Sequence, residues 1–135
     1  MAYFLLKTEP STYSFADLVK AKKATWDGVA NPAAVANIRK ARKGDVVVVY
    51  HTGAEKAAVG LAEVVSAPYD DPKDPKLAVF DLAPRAALVE KVTLAQIKAS
   101  PAFAESPLVR MGRLSVVELN AAQWKALMAL AKTKA

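Results

Sequence analysis

The apolar positions of this chain fall into short runs separated by turn residues, with helical spacing in only a few places. Tyr3 to Lys7 is an apolar run closed by Thr8-Glu9-Pro10. It predicts a strand, because proline cannot donate to a sheet ladder and so ends it. Ser14 followed by Asp17 reads as a helix N-cap with its capping-box partner. The helix it predicts runs to about Lys22, with Phe15, Leu18 and Val19 on one face. The pattern breaks at Trp26-Asp27-Gly28, where Asp-Gly signals a turn. Asn31-Pro32 then predicts a second helix, with Asn as cap and Pro in its first turn, running to about Arg42.

Gly44-Asp45 is a turn, and Val46 to Tyr50 is a β-branched run apolar at every position, as in a central strand. After the polar turn Gly53 to Lys56, Ala57 to Ala67 reads as a long strand. Gly60 inside it marks a bulge or a close backbone approach. Pro68 to Lys76 contains three prolines and predicts a loop. Leu77 to Leu82 and Ala86 to Val92 predict two further strands. Thr93 with Gln96 forms a capping box for a short helix near Leu94 to Lys98. Ser100 to Met111 reads as irregular, and Leu114 to Leu119 as a final strand. Asn120 with Gln123 caps a last helix with Trp124, Leu127, Met128 and Ala131 on one face. The order is mixed α and β (an α+β arrangement), with strands crowded in the middle. It predicts a small, partly closed sheet with helices packed on it, not alternating parallel units.

Composition narrows the function classes. At 135 residues the chain is one domain with room for a proper core. No apolar run approaches the ~20 residues of a membrane helix. The opening Met-Ala-Tyr-Phe-Leu-Leu-Lys is too short an apolar run for a signal peptide, so a cytoplasmic location is expected. The absence of cysteine removes disulfides, thiolate nucleophiles and Cys-based zinc sites, and a single histidine argues against a His-built metal site. No cofactor and no metal are expected. Lys and Arg outnumber Asp and Glu by 19 to 13, a net charge of +6, which favours acidic partners and nucleic acid above all.

Four constellations carry candidate chemistry. Trp26 is followed by Asp27, Gly28, Val29 and Asn31 at a helix entrance. A flat aromatic wall beside backbone donors suits a nucleic-acid base, although a tryptophan there also serves as a core plug. Tyr50-His51-Thr52 closes the apolar strand with three hydrogen-bonding side chains, whereas a strand-end histidine is most often structurally satisfied. Lys7-Thr8-Glu9 leaves the first strand and offers a donor and acceptor pair for an exocyclic amine, or else plain surface charge. The basic residues Arg39 and Lys40, followed by Arg42 and Lys43, and the pair Arg110 and Arg113, fit phosphate contact. The duller alternatives are helix-dipole stabilisation and a solvated loop. As an enzyme the set is thin: there is no Gly-rich phosphate loop, no Ser/His/Asp elbow and no close carboxylate pair. A non-catalytic protein is therefore expected.

Taken together, Phe4-Leu5-Leu6-Lys7-Thr8-Glu9-Pro10, Tyr13-Ser14-Phe15, Trp26-Asp27-Gly28-Val29 with Asn31, Lys43-Gly44-Asp45, Tyr50-His51-Thr52, Val59-Gly60 with Glu63-Val64, and Leu108-Val109-Arg110 with Arg113-Leu114-Ser115 resemble the EVE domain. That family belongs to the PUA-like group and includes the thymocyte nuclear protein. The match runs in order along essentially the whole chain. The resemblance implies a PUA-like pseudo-barrel of five to six strands flanked by helices. It implies a reader of modified bases, with modified cytosine in DNA the leading ligand. The pocket would be lined by Lys7, Thr8, Glu9, Trp26, Asp27, Gly28, Val29, Asn31, Tyr50, His51 and Thr52. The sequence departs from the family pattern at Phe4, where tryptophan is usual, at Ala30, where arginine is common, and at Val35 and Ala36, which replace an Arg-Asn pair. Thr52 stands for serine. Alternative functions are an RNA-binding PUA-like module, a small PUA-like hydrolase using Lys7, Glu9, Tyr50 and His51, and a partner-binding module of a larger assembly. Any base reader of this layout needs the ends of the Tyr3–Lys7 and Val46–Tyr50 strands side by side, with Glu9 and His51 on one side of the molecule.

Overall fold

Two apolar runs sit at the centre of the sheet. The first is β1 (Tyr3–Thr8), in which Phe4, Leu5 and Leu6 are fully buried. Consecutive residues point to opposite faces, so burial of all three means that both faces of the strand are covered. The computed structural model describes residues 2–104, 106–110 and 114–133. The second run is β3 (Val46–His51), buried at all six positions. It pairs with β1 in parallel, from Tyr3 opposite Val46 to Thr8 opposite His51. The connection between them carries α1 (Phe15–Ala21), the short strand β2 (Ala24–Trp26) and α2 (Pro32–Lys40).

Beyond β3 come β4 (Ala57–Val64), β5 (Tyr69–Asp71) and β6 (Asp74–Thr93), and after the helical segments a last strand β7 (Val116–Leu119). The path across the sheet is β2-β6-β4-β3-β1-β7, with β5 added on β6. That makes seven strands, where five to six were expected. The sheet curls into a half-barrel whose free edges are β2 and β7. Its curl follows from bulges. Val49 faces Gly60 but Tyr50 faces Ala58, so β4 carries an extra residue at Val59. The β4–β6 register slips twice more. Each extra residue bends its strand and increases the local twist. Helix α2 packs against both β6 and β7, and Asn37 Nδ2 donates to the Val116 carbonyl at 2.8 Å, which ties the helix to the β7 edge.

The remaining helices are α3 (Leu94–Ala99), a 3₁₀ turn at Pro101–Phe103, α4 (Pro107–Arg110) and α5 (Ala121–Leu130). All three capping boxes form: Ser14 with Asp17, Thr93 with Gln96, and Asn120 with Gln123. Trp124, Leu127, Met128 and Ala131 are buried on one face of α5, as the spacing implied.

Five expectations need correction. Trp26 is not in a loop but ends β2, opposite Phe80. The 68–76 stretch contains β5 despite its prolines. The strands expected at 77–82 and 86–92 are one continuous β6. The 100–111 stretch holds two helical turns. Val19 is 49% exposed, because only Phe15 and Leu18 of α1 reach the sheet. Among the described residues no helix is long and apolar enough to cross a membrane.

Candidate functional site

Where β1 ends, the chain makes a tight turn. Pro10 follows Glu9, a favoured place for proline in a turn, and the Glu9 carbonyl accepts the N–H groups of Thr12 and Tyr13, both at 2.9 Å. Thr8 Oγ1 donates to the Tyr13 carbonyl at 2.6 Å and fixes the return of the loop. Glu9 Oε1 accepts from Ser11 N–H and Oγ, and its Oε2 lies 3.5 Å from Thr52 Oγ1. The carboxylate also presses on Gly53, where a Cβ would come within 2.7 Å of Oε2. A side chain there would have to displace the carboxylate, and Gly53 has the positive φ of 75° that glycine adopts freely. Thr52 N–H donates to the Thr8 carbonyl at 2.9 Å. The ends of β1 and β3 are thus adjacent, as expected.

Between this turn, strand β2 and the residue ahead of β7 lies a cavity of about 540 Å³. Its volume falls in the range of roughly 300–1,000 Å³ typical of small-molecule sites. Lys7, Thr8 and Glu9 line it from β1 and its turn, and Trp26, Asp27, Gly28 and Val29 from the other side. Thr12, Tyr13, Ala24, Thr25 and Ser115 complete the lining. Trp26 and Tyr13 meet edge to face, with ring centroids 6.0 Å apart and planes at 81°. Trp26 is only 8% exposed and belongs to the main core cluster. It is therefore core and cavity wall at once, with its indole shared between the two.

One polar atom in this wall is conspicuous. The Tyr13 hydroxyl is buried and has no hydrogen-bond partner among the described residues. Burial, and to a smaller extent the nearby Asp17 carboxylate, hold its pKa above the ordinary tyrosine value, so it stays a neutral O–H donor. Burial also lowers the pKa of Lys7. Tyr13 was part of the motif carrying the family resemblance but not of the expected pocket set. Nothing in the local sequence says which way its ring turns.

Four expected pocket residues lie elsewhere. Asn31 is exposed and caps α2, its Oδ1 accepting from Ala33 and Ala34 N–H at 2.9 and 3.2 Å. Tyr50 and Thr52 line a separate, smaller concavity. His51 is buried, and both of its ring nitrogens are engaged. Nε2 accepts the Phe15 N–H at 3.0 Å, so the ring proton sits on Nδ1, facing Glu55 Oε1 at 2.7 Å. The histidine thus fastens the start of α1 to β3.

His51→Ala is accordingly expected to lower stability by about 1–3 kcal/mol, because it orphans a buried N–H. The hydrogen bond from His51 is the main cause that holds the Glu55 carboxyl below its ordinary value of 4.5. A depressed carboxyl contributes stability above its unfolded value and loses it as pH falls through the folded one. The gap between wild type and variant should therefore narrow on acidification below about pH 4.5. Urea midpoints from neutral pH downward check this, and an unchanged gap would refute the pairing.

Of the basic residues expected at phosphates, Arg39, Lys40 and Arg110 are not among the described residues that line the cavity. Arg39 Nη1 pairs with Asp70 at 3.1 Å, and Lys40 Nζ with Glu118 at 3.7 Å. Both sit at the far end of α2, roughly 10 Å along the axis from Pro32. Arg110 ends α4 and is exposed. Arg113 lies outside the described residues. Ala30, Val35 and Ala36 line a concavity along α2 together with Arg39.

The family model described as EVE domain matches residues 2–130. Among solved structures, a protein of Rhodopseudomonas palustris is 35% identical over 98% of this chain and 94% of its own, with a TM-score of 0.91. A protein of Leishmania major is 32% identical over 98% and 95%, with a TM-score of 0.90. Human THYN1, solved in complex with 5-methylcytosine-containing DNA, is 22% identical over the full length of both chains, with a TM-score of 0.82. No curated protein matches the chain.

Proposed function

The chain belongs to the EVE domain family, and from that premise we propose that it binds nucleic acid and takes one modified base, with modified cytosine in DNA as the leading candidate, into the cavity beside Trp26. Its curled sheet with flanking helices is the PUA-like architecture, shared with human THYN1. The complex of THYN1 with 5-methylcytosine-containing DNA favours DNA as the polymer. The observation that carries the proposal is that Tyr13, whose buried hydroxyl has no partner among the described residues, lines the same cavity as the Trp26 wall. A buried hydroxyl without a hydrogen bond is costly, and a base edge rich in acceptors would satisfy it.

In this reading Trp26 stacks on the base, Tyr13 donates to its edge, and Thr8 and Glu9 face its remaining polar groups. The base must leave its helix to enter. That costs a few kcal/mol and favours single strands or distorted sites. Binding occurs without turnover, since Lys7, Glu9, Tyr50 and His51 do not converge on one cavity and His51 spends both nitrogens on the fold.

Tyr13→Phe tests the proposal. Losing the donor should weaken binding of a modified oligonucleotide by about 5- to 150-fold, the equivalent of ~1–3 kcal/mol for a polar group left unpaired. The melting midpoint should hold or rise slightly, since an unsatisfied buried group is removed. The panel should include modified and unmodified DNA and RNA, each recovered intact after incubation. Unchanged affinity would overturn the base-reading role of the phenol, and cleaved or altered oligonucleotide would overturn the non-catalytic reading.

A further inference from the structure

A captured base stays attached to its strand, so the strand needs a seat beside the cavity. A second concavity of about 220 Å³ shares Lys7 with the first. Three lysines line it, Lys7, Lys56 and Lys98, and no carboxylate among the described residues does. Their convergence is built by the fold. Lys56 sits in a left-handed turn with φ of 47°, and its carbonyl accepts the Leu94 N–H at 2.8 Å, which locks that turn to the start of α3. Lys98 is four residues after Leu94, so both lie on one helix face and both line the concavity. Tyr50 adds a hydroxyl donor, and burial raises its pKa, which keeps the phenol protonated, whereas the Thr52 hydroxyl is turned to Glu9. The Glu9 carboxylate accepts from Ser11 and Thr52 and lines the first cavity.

Lys23, Arg39, Lys40, Arg85, Lys91 and Lys132 are each answered by a carboxylate. Lys56 and Lys98 make no ion pair among the described residues. Convergence on one cleft, not the lack of an ion pair, sets Lys56 and Lys98 apart, since Lys22, Arg42, Lys43, Lys73, Lys76 and Lys125 make no ion pair among the described residues either. A cleft lined by three ammonium groups and a phenol, with no acid among the described residues that line it, is chemically suited to a phosphodiester, which offers acceptors and one negative charge. We propose that this cleft seats the backbone phosphate flanking the captured base, an inference that rests on the base-capture reading. Lys7, which lines both concavities, would then touch base and backbone alike. The phosphate contacts come from the turn at Lys56 and from α3, rather than from the end of α2.

The test is a salt series with the full chain and two single-stranded oligonucleotides, one carrying a single 5-methylcytosine and one unmodified. The double variant Lys56→Gln/Lys98→Gln is compared with Lys125→Gln/Lys132→Gln as control. Tyr3 stacks on Trp124, so α5 begins at the end of β1 away from Lys7, roughly 13 Å distant. The cleft variant should weaken both oligonucleotides by similar factors. It should flatten the plot of log affinity against log salt by about 1.4, which is two contacts at ~0.7 each for single strands. The control should leave the slope unchanged. The cleft assignment is overturned if the control flattens the slope equally, if the cleft variant leaves it unchanged, or if wild type binds neither oligonucleotide. It is also overturned if the cleft variant removes only the preference for the modified base. Base capture fails separately, when wild type holds both oligonucleotides equally while the slope still responds to Lys56 and Lys98.

Discussion

Trp26→Ala should lower both the stability of the fold and the affinity for a modified oligonucleotide. The indole is nearly buried, pairs through its backbone with Phe80 and meets Tyr13 edge-on. Cutting a buried tryptophan to alanine leaves a cavity and costs about 3–5 kcal/mol. Against a typical domain stability of about 5–15 kcal/mol, the variant would be folded but marginal. The same indole faces the 540 Å³ cavity, where loss of a stacking aromatic removes ~1–3 kcal/mol of binding. The two losses are separable. Affinity is measured well below the variant's melting midpoint and corrected for the folded fraction. Trp26→Phe keeps a ring and should recover part of each. If the midpoint falls and the corrected affinity does not, Trp26 is only a core residue and the base lies elsewhere. If affinity falls with no change in midpoint, its place in the core is wrong.

Why these roles could be half-read from the sequence is a matter of range. Signals that act within four residues were legible: three capping boxes, the Asn31-Pro32 helix start, and the two β-branched or apolar runs that became β1 and β3. Features that depend on distant partners were not. Strand β2 has three residues and no alternation to read, and it exists because Phe80 and its neighbours offer an edge. Pro84 lies between the two strands expected at 77–82 and 86–92. The β4–β6 register slips between Leu61 and Ala62, next to the position facing Pro84, so the bulge absorbs the missing donor and β6 runs on.

The site divides in the same way. Lys7 to Glu9 and Trp26 to Val29 line one cavity, as their motifs implied. His51 showed a polar residue at a strand end. Its acceptor role depends on Phe15, thirty-six positions away, and on Glu55. The pairs that engage Arg39 and Lys40 likewise reach to Asp70 and Glu118. Basic character was legible; which cations stay available to a ligand was decided by tertiary contacts.

Gly60→Ala should be strongly destabilising, although alanine is intrinsically the better strand residue by roughly 0.5–1 kcal/mol. The Phe15 ring lies directly on Gly60, and a methyl there would overlap ring atoms Cε1, Cζ and Cδ1. The ring has little room to retreat. Phe15 is the first residue of α1, its N–H is bonded to His51, and its side chain is buried against the sheet. Overpacking of this kind costs about 1–3 kcal/mol and occasionally more, and three overlapping atoms place this substitution at the upper end or above. The effect should reach the site, because Tyr13 is two residues before Phe15. A helix pushed off the sheet moves the phenol and the turn held by Thr8. Urea unfolding of Gly60→Ala, Phe15→Leu and the double variant gives the coupling directly. Phe15→Leu alone should lose stability through the space it leaves. In the Gly60→Ala background that space receives the methyl, so the double variant should be more stable than the sum of the two losses predicts. Strict additivity would mean that ring and glycine do not meet. A neutral or stabilised Gly60→Ala would mean that the sheet has room at this point and that α1 is not held down there.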